Sequence, residues 1–323
     1  MLIEFLAVIA CCFGLTVLLS HFVIPILKSK KMGQKILEIG PRWHKSKEGT
    51  PTMGGICFIA AILLSVLAAL IFDASETKRI LLVLVLALSC GVIGLIDDRA
   101  KLMKKQNEGL LAWQKYLLQL LAAGVFLWLQ NLFGLAETAM AIPYTDLELE
   151  LGIGYYVVAL ILITGMVNSV NLTDGIDGLA STVSLVVAGF FALAAFAAES
   201  RALSLLSAAL IGGMIGFLVY NFHPARVFMG DTGSLFLGGF LTGCAFVLGQ
   251  PLILLVCGLV FVIEAASVIL QVLVFKLSGR KKRLFKMAPI HHHFEKCGWN
   301  EYKLVAVFGT ATVVFCAIAW FGL

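Results

Sequence analysis

Ten apolar stretches place the strongest constraint on what this chain can fold into. A helix needs about 20 apolar residues to cross the hydrocarbon core of a bilayer. Of the 323 residues, 60% are hydrophobic and 13% are charged, about half the charged share of a soluble domain. The sequence therefore predicts an all-α polytopic membrane protein, in which residues 1–323 form a single transmembrane helical bundle. The ten predicted transmembrane helices cover residues 2–27, 53–72, 80–96, 110–135, 153–170, 178–198, 202–221, 233–249, 252–275 and 303–322.

The basic residues predict how the bundle is oriented. With the adjoining helix turns, the loops after the odd-numbered spans hold all of the 24 Lys and Arg residues except Lys78, Arg79 and Arg201. Cytoplasmic loops carry such an excess, so both termini are expected to be extracytoplasmic. Met1–Leu27 has no basic leader and is expected to be a retained span. The predicted cytosolic loops are 28–52, 97–109, 171–177, 222–232 and 276–302.

Acidic residues concentrate at the same face. A channel or transporter more often places its polar residues at the bilayer midplane, where Glu264 is the one acidic residue predicted here. The eight cysteines show no metal or disulfide spacing and are expected to pack as small core residues. The working surface is therefore predicted to be the inner membrane interface. Its ten carboxylates are Glu38, Glu48, Asp97, Asp98, Glu108, Asp174, Asp177, Asp231, Glu295 and Glu301.

The polar stretch 168–180, NSVNLTDGIDGLA, lies between two apolar spans. Asn168, Asn171, Asp174 and Asp177 recur at intervals of three, and a glycine follows each aspartate. Such a set suits a divalent cation, a sugar or a base edge. The alternative is a solvated turn, with Asp and Asn capping helices and glycine supplying the bend.

The segment 47–55, KEGTPTMGG, leads into the second span. Thr50 and Pro51 are a candidate N-cap and first helical residue. Thr52 and the following glycines would then leave N–H groups accessible at a helix N-terminus, which favours an anion. Lys47 could reach a phosphate or a uracil carbonyl. An ordinary helix start beside a basic loop remains the alternative.

The pair Asp97-Asp98 is predicted to end the third span, at the negative end of its helix dipole. Carboxylates are unfavourable there unless a cation is bound or a proton is handled. Because adjacent residues point in different directions on a helix, both can bind one metal only if the helix ends there. Lys115, one turn into the fourth span, could contact a phosphate or extend along the apolar surface to water.

The last two predicted cytosolic loops supply further polar residues. In the first of them, Asp231 precedes a small-residue turn, Ser234 is a candidate cap for the eighth span, and Phe228 is a candidate stacking surface for a base. In the second, His291–His293 could ligate a transition metal, but no second soft cluster accompanies them. Contact with an anion is the favoured interpretation. The predicted inner face thus combines lysines, histidines and acids that could hold Mg²⁺. Such a set would suit a diphosphate, with a lipid phosphate as second substrate.

The motifs GTPTMGG, IDDRAK, NLTDGIDGLA, VFMGDTGS and APIHHHFE occur in this order along essentially the whole chain. Together they resemble the polyprenyl-phosphate N-acetylhexosamine-1-phosphate transferases, and PTMGG with the triple histidine indicates the muramoyl-pentapeptide branch. The resemblance implies Mg²⁺-dependent transfer from UDP-N-acetylmuramoyl-pentapeptide to undecaprenyl phosphate, giving lipid I and UMP for peptidoglycan synthesis. It also implies a homodimer among the lipids of the bacterial inner membrane, with the active site facing the cytoplasm, no nucleic-acid partner, and an outer hairpin within 136–152.

The resemblance also implies roles for individual residues. Asp97, Asp98 and Asp231 would be the catalytic acids, with Asp231 as the main Mg²⁺ ligand. The lipid phosphate would attack the donor directly, or a covalent phospho-aspartate would form first. The histidines would face the diphosphate and sugar. The other implied substrate-binding residues are Asn171, Asp174, Asp177, Asn221 and Phe228 around the nucleoside, and Lys47, Thr52, Lys115 and Asn168 toward the nucleotide or phosphates.

Two other functions remain open from the sequence. A sister enzyme that uses UDP-N-acetylglucosamine would share the aspartates, although PTMGG and the histidines disfavour it. An ion-coupled transporter would use Glu264 as its coupling site, and replacing Asp98 would then be harmless.

Overall fold

A computed structural model describes residues 1–29, 47, 49–104 and 109–323. Glu38, Glu48 and Glu108, three of the predicted cytosolic carboxylates, lie outside the described residues, as do most of loop 28–52 and part of loop 97–109.

The described chain is almost entirely helical. The helices are α1 (Leu2–Ser29), α2 (Gly55–Phe72), α3 (Thr77–Lys104), α4 (Ala112–Leu132), α5 (Gly154–Thr173), α6 (Leu179–Ala197), α7 (Arg201–Asn221), α8 (Gly230–Val247), α9 (Leu254–Cys257), α10 (Leu259–Leu277), α11 (Ile290–Glu295) and α12 (Glu301–Trp320). Strands β1 (Ala139–Ala141) and β2 (Glu148–Glu150) pair antiparallel between α4 and α5, with Met140 opposite Leu149. The predicted hairpin within 136–152 is thereby confirmed.

Eight of the described helices are long and apolar enough to cross a membrane: α1, α2, α3, α5, α6, α7, α10 and α12. The all-helical membrane architecture predicted from the sequence is thereby confirmed. The other two predicted spans correspond to α4, which carries several glutamines, and α8, which begins with the polar run GDTGS.

Two spans differ from their predicted form. The third span does not end before Asp97, because α3 continues to Lys104 through residues that favour a helix. The ninth predicted span is broken: a 3₁₀ turn at Pro251–Ile253 and the short α9 precede α10, and Gly258 separates α9 from α10. Continuous hydropathy hid this break, since proline and glycine interrupt a helix without lowering its apolar character.

Helix α8 forms the centre of the bundle. Every residue from Thr232 to Phe246 is buried, and the helix packs against α2, α3 and α5. Small residues permit this close approach, as is common between membrane helices. A Cβ at Gly94 of α3 would overlap the backbone carbonyl of Asp231, and one at Gly55 of α2 would lie 2.5 Å from Cα of Gly233. The two helices that carry the key aspartates are therefore held in backbone contact.

The outer surface of the bundle is apolar. Large hydrophobic side chains are exposed on α1, α4, α5, α10 and α12, including Phe22, Trp128, Ile161, Ile269 and Val313. Contiguous exposed apolar surface of this kind is unusual for a soluble protein and suits contact with lipid.

Candidate active site

Three carboxylates from two helices converge at one end of the bundle. Asp97 and Asp98 of α3 and Asp231 of α8 each offer an oxygen, and these oxygens lie within 4.8 Å of one another. Helix α3 continues past both residues of the pair, so the helix end that would let both of them bind one metal is not present. Asp231 approaches close enough to bring all three carboxylates together.

Asp98 is bound to the first turn of α8. Its Oδ1 accepts a hydrogen bond from the Asp231 amide at 3.1 Å, and its Oδ2 accepts from the amide and hydroxyl of Thr232 at 2.9 and 2.7 Å. A carboxylate is stabilised by free N–H groups at a helix N-terminus. The prediction that Ser234 caps this helix is wrong, since α8 begins at Gly230 and the Ser234 hydroxyl donates to the Gly230 carbonyl.

Two lysines neutralise the other carboxylates. Lys101 Nζ lies 2.7 Å from Asp97 Oδ2 and 2.9 Å from Asp231 Oδ2, and Lys115 Nζ lies 2.7 Å from the same Asp231 oxygen. Asp97 also accepts a hydrogen bond from the Leu110 amide at 2.8 Å. Lys115 thus points into the site rather than along the lipid surface.

The amides of α5 complete this cluster. Asn171 Nδ2 donates to Asp231 Oδ1 at 2.9 Å, and its Oδ1 accepts from Lys115 at 3.1 Å. One turn earlier, Asn168 donates to Gln119 Oε1 at 2.6 Å and accepts from Gln119 Nε2 at 3.3 Å. The Asn168 amide therefore braces α5 against α4 at the edge of the site.

Asp174 follows α5 and lies within the electrostatic reach of Asp231 and Asp98. Burial raises the pKa of Asp174 to about 8, and the negative charges of Asp231 and Asp98 add to the rise. Asp174 is therefore close enough to Asp98 and Asp231 to interact electrostatically with both.

A second polar cluster surrounds Asp177. Lys47 Nζ lies 2.7 Å from Asp177 Oδ1 and 2.7 Å from a Glu301 oxygen, and His223 Nδ1 lies 2.9 Å from Asp177 Oδ2. The Ala225 amide donates to Asp177 at 3.0 Å. These residues line a cavity of about 560 Å³, within the usual size range of small-ligand pockets.

The segment after Lys47 pairs with the loop before α8. The amides of Gly54 and Gly55 donate to the carbonyls of Phe228 and Met229 at 2.8 and 3.1 Å, and the Phe228 amide donates to Pro51 at 2.8 Å. The prediction of a free anion site here is wrong, because these N–H groups are already bonded. The predicted cap at Thr50 is also wrong, because α2 begins at Gly55.

Three further predicted contact residues lie in or beside this segment. Thr52 is buried, whereas Phe228 is half-buried. Asn221 is buried with both ends of its amide bonded, donating to the Val227 carbonyl at 3.0 Å and accepting from Ser181 at 2.9 Å. The Asn221 side chain therefore holds the loop before α8.

The three histidines point to different partners. Buried His291 bonds Glu264, with Nδ1 3.0 Å from Oε2, and His292 Nδ1 lies 2.6 Å from a Glu295 oxygen. His293 accepts from the Lys286 amide at 3.1 Å. Among the described residues, the three histidines therefore do not form one ligand set.

Comparison with known proteins identifies the family. Residues 80–249 match glycosyl transferase family 4, and residues 47–59 match the phospho-N-acetylmuramoyl-pentapeptide-transferase signature 1. A phospho-N-acetylmuramoyl-pentapeptide-transferase of Staphylococcus haemolyticus is 45% identical over 320 residues, which cover 98% of each chain. The chain belongs to the phospho-N-acetylmuramoyl-pentapeptide-transferase family.

Other members of this family are similarly close. The Staphylococcus aureus protein of the same name is 44% identical over 311 residues, covering 95% of this chain and 96% of its own. That of Halalkalibacterium halodurans is 44% identical over 308 residues, covering 95% and 94%. The family predicted from the motifs is therefore confirmed over nearly the full length.

Several residues at this phospho-N-acetylmuramoyl-pentapeptide-transferase site were missed as site residues. Lys101 lies four residues after Asp97 on one helix, a spacing that could have indicated their ion pair. Thr232, Gln119 and His223 gave no comparable signal. Glu301 was counted among the cytosolic carboxylates, but nothing in the sequence paired it with Lys47 across 254 positions.

Proposed function

We propose that this protein transfers phospho-N-acetylmuramoyl-pentapeptide from its UDP-linked donor to undecaprenyl phosphate, producing lipid I and UMP. The chain is a transferase of peptidoglycan synthesis, as its family membership shows. The observation that carries the proposed chemistry is the convergence of Asp97, Asp98 and Asp231 with Lys101 and Lys115. Such a set can bind a metal and neutralise a diphosphate.

The donor set of this cluster suits Mg²⁺. Carboxylate oxygens are the ligands that Mg²⁺ prefers, and Asp231 with Asp97 would hold it. When bound, the ion would supply charge that stabilises the phosphoryl oxygens. Asp98 already uses both oxygens to hold the start of α8, so its main contribution would be to position Asp231.

We favour direct attack by an oxygen of the lipid phosphate on the phosphorus that carries the sugar. The new P–O bond forms as the bond to UMP breaks, and UMP leaves with the electron pair. Phosphate monoesters lose their second proton near pH ~6, so a strong base is not required. Asp97, which faces Lys101 and the Leu110 amide, is the residue best placed to orient the lipid phosphate or accept a residual proton.

The donor would lie across both clusters. Its nucleoside would occupy the region of Asp177, Asn221 and Phe228, near the cavity that Lys47 lines. Its diphosphate would lie toward the aspartates, with His291–His293 on the sugar side. The proposed phosphate and base contacts beyond these are Thr52, Lys115, Asn168, Asn171 and Asp174.

We also propose ten spans, with α4 and α8 crossing the membrane inside the bundle. The distribution of Lys and Arg supports a cytoplasmic site, both termini outside and location in the bacterial inner membrane. A homodimer is part of the proposal. No nucleic-acid partner is expected.

The two alternatives have less support. Relatives named for the pentapeptide substrate disfavour a UDP-N-acetylglucosamine enzyme. Glu264, which a coupled transporter would use, is hydrogen-bonded to His291 instead.

Purified protein should be assayed with undecaprenyl phosphate, Mg²⁺ and each UDP-sugar separately. We expect UMP and lipid I only with UDP-N-acetylmuramoyl-pentapeptide. Turnover of UDP-N-acetylglucosamine alone would overturn the proposed donor. Exchange of labelled UMP into the donor without lipid acceptor would instead establish a two-step route through a covalent intermediate.

A further inference from the structure

A buried carboxylate–histidine pair lies beside the proposed diphosphate region. Glu264 of α10 and His291 of α11 have no exposed surface. His291 Nδ1 lies 3.0 Å from Glu264 Oε2, and the His291 backbone N–H approaches the same oxygen at 3.5 Å. Burying a carboxylate is costly unless it is paired, so a buried Glu264 needs a specific partner. Among the described residues, that partner is His291.

The other end of the imidazole points toward the site. His291 Nε2 is buried without a hydrogen-bond partner among the described residues. It lies against Gly175, where an added Cβ would overlap Nε2 itself. Gly175 follows Asp174, which lies within electrostatic reach of Asp231 and Asp98. An unpaired buried nitrogen at this position calls for a partner beyond the described residues, and a bound ligand can supply it.

The pair also fixes which nitrogen faces the site. With a proton on Nδ1 donated to Glu264, the ring cannot rotate without losing that bond, and Nε2 stays directed at Gly175. A carboxylate that orients a functional histidine in this way sets both its tautomer and its ring position.

We propose that Glu264 is a positioning residue that acts through His291, holding Nε2 against the diphosphate of the donor. The Glu264 carboxylate supplies the counter-charge for a second proton, taken from solvent, on Nε2. The resulting N–H donates to a phosphoryl oxygen. This inference rests on the proposed function, and it gives Glu264 a role that neither a transporter nor simple packing would require.

The test is a double-mutant cycle on UDP affinity and on kcat/KM. Glu264→Gln removes the charge with little change of shape. His291→Asn keeps an N–H near the Nδ1 position but has nothing at the Nε2 position. Each variant should weaken UDP binding and lower kcat/KM by about 10- to 100-fold, the usual effect of losing a residue that orients a functional histidine.

The double variant distinguishes a positioning role from a structural one. If Glu264 acts only through His291, the double variant should be no worse than His291→Asn alone. If the fold-losses of the two single variants multiply in the double variant, Glu264 acts independently of His291 and the inference is overturned. Unchanged UDP affinity in Glu264→Gln, or a loss that is equally large for uridine, would also overturn it.

Two controls keep the outcome clear. Ser267→Ala alters the same face of α10 one turn away, where the hydroxyl donates to the Glu264 backbone carbonyl, and it should stay within about twofold of the parent. Glu264→Asp retains the charge and should recover part of the loss if Glu264→Gln is poorly folded. Parent protein that binds UDP but makes no lipid I would count against the proposed function, not against the pairing.

Discussion

The Asp98 carboxylate accepts two hydrogen bonds from Thr232, at 2.9 Å from the amide and 2.7 Å from the hydroxyl. These bonds connect α3 to the first turn of α8, where Asp231 is located. The position of Asp231 relative to Asp97 therefore depends on a contact that is itself outside the proposed chemistry.

Thr232→Val should destabilise this connection. It removes a buried hydrogen bond to a charged group, worth about 1.5–3 kcal/mol. We expect the thermal unfolding midpoint in detergent to fall by a few degrees and activity to fall with it. Thr232→Ser retains the hydroxyl and should resemble the parent. Equal midpoints for the Val and Ser variants would show that the hydroxyl does not hold α8.

Asp231→Asn should abolish turnover through loss of the metal. It removes the charge that faces both lysines and the other two carboxylates, and we expect kcat to fall by at least about 100-fold. Added Mg²⁺ should raise the unfolding midpoint of the parent but not of the variant, since a ligand stabilises only a protein that binds it. Asp146→Asn, on the exposed hairpin, is the control. Near-normal activity with unchanged Mg²⁺ dependence would refute the metal assignment.

Gly175→Ala should impair activity without unfolding the protein. The added methyl group would meet the His291 ring, which must then move away from Gly175. We expect a fall in kcat/KM of about tenfold or more and a shift in unfolding midpoint of only a few degrees, consistent with overpacking at one position. Gly165→Ala on α5, where a Cβ meets nothing within 4 Å, should leave both quantities unchanged.

Glu301→Gln should weaken donor binding more than it slows the chemical step. Glu301 contacts Lys47 and accepts from the Asp177 amide at 3.0 Å, so it orients two predicted nucleotide-binding residues. A loss of about 1 kcal/mol of donor-binding free energy corresponds to a rise in KM of about fivefold, with kcat nearly constant. Glu76→Gln, which breaks the exposed pair with Arg79, should change neither constant. A fall in kcat at constant KM would place Glu301 in the chemical step instead.

Most of the helices could be predicted because hydropathy and length are local properties. The errors have local causes too. A charged pair at Asp97 looked like the end of a span, but helix propensity carried α3 to Lys104. The apolar run at 252–275 hid a break, since Pro251 and Gly258 alter the backbone and not the hydropathy.

The sequence predicted the types of residue in the candidate site better than it predicted their geometry. The aspartates could be identified from motifs, yet their partners could not. The N–H groups at the start of α2 were expected to be open to an anion, but neighbouring carbonyls accept their hydrogen bonds. At the start of α8, Asp98 accepts the hydrogen bonds of the amides. Such pairing depends on how closely helices approach, which glycine spacing alone does not specify.

By itself, the sequence determined that the chain is a helical membrane protein and which family it belongs to, and it supplied the acidic residues of the proposed site. Those properties follow from composition and from motifs that are short and contiguous. Only the tertiary structure decided that Asp98 holds the start of α8, that Glu301 reaches Lys47, and that Glu264 directs His291 toward Gly175. The partners in the first of these contacts are 134 positions apart, and nothing local to either residue determines a contact that packing alone creates.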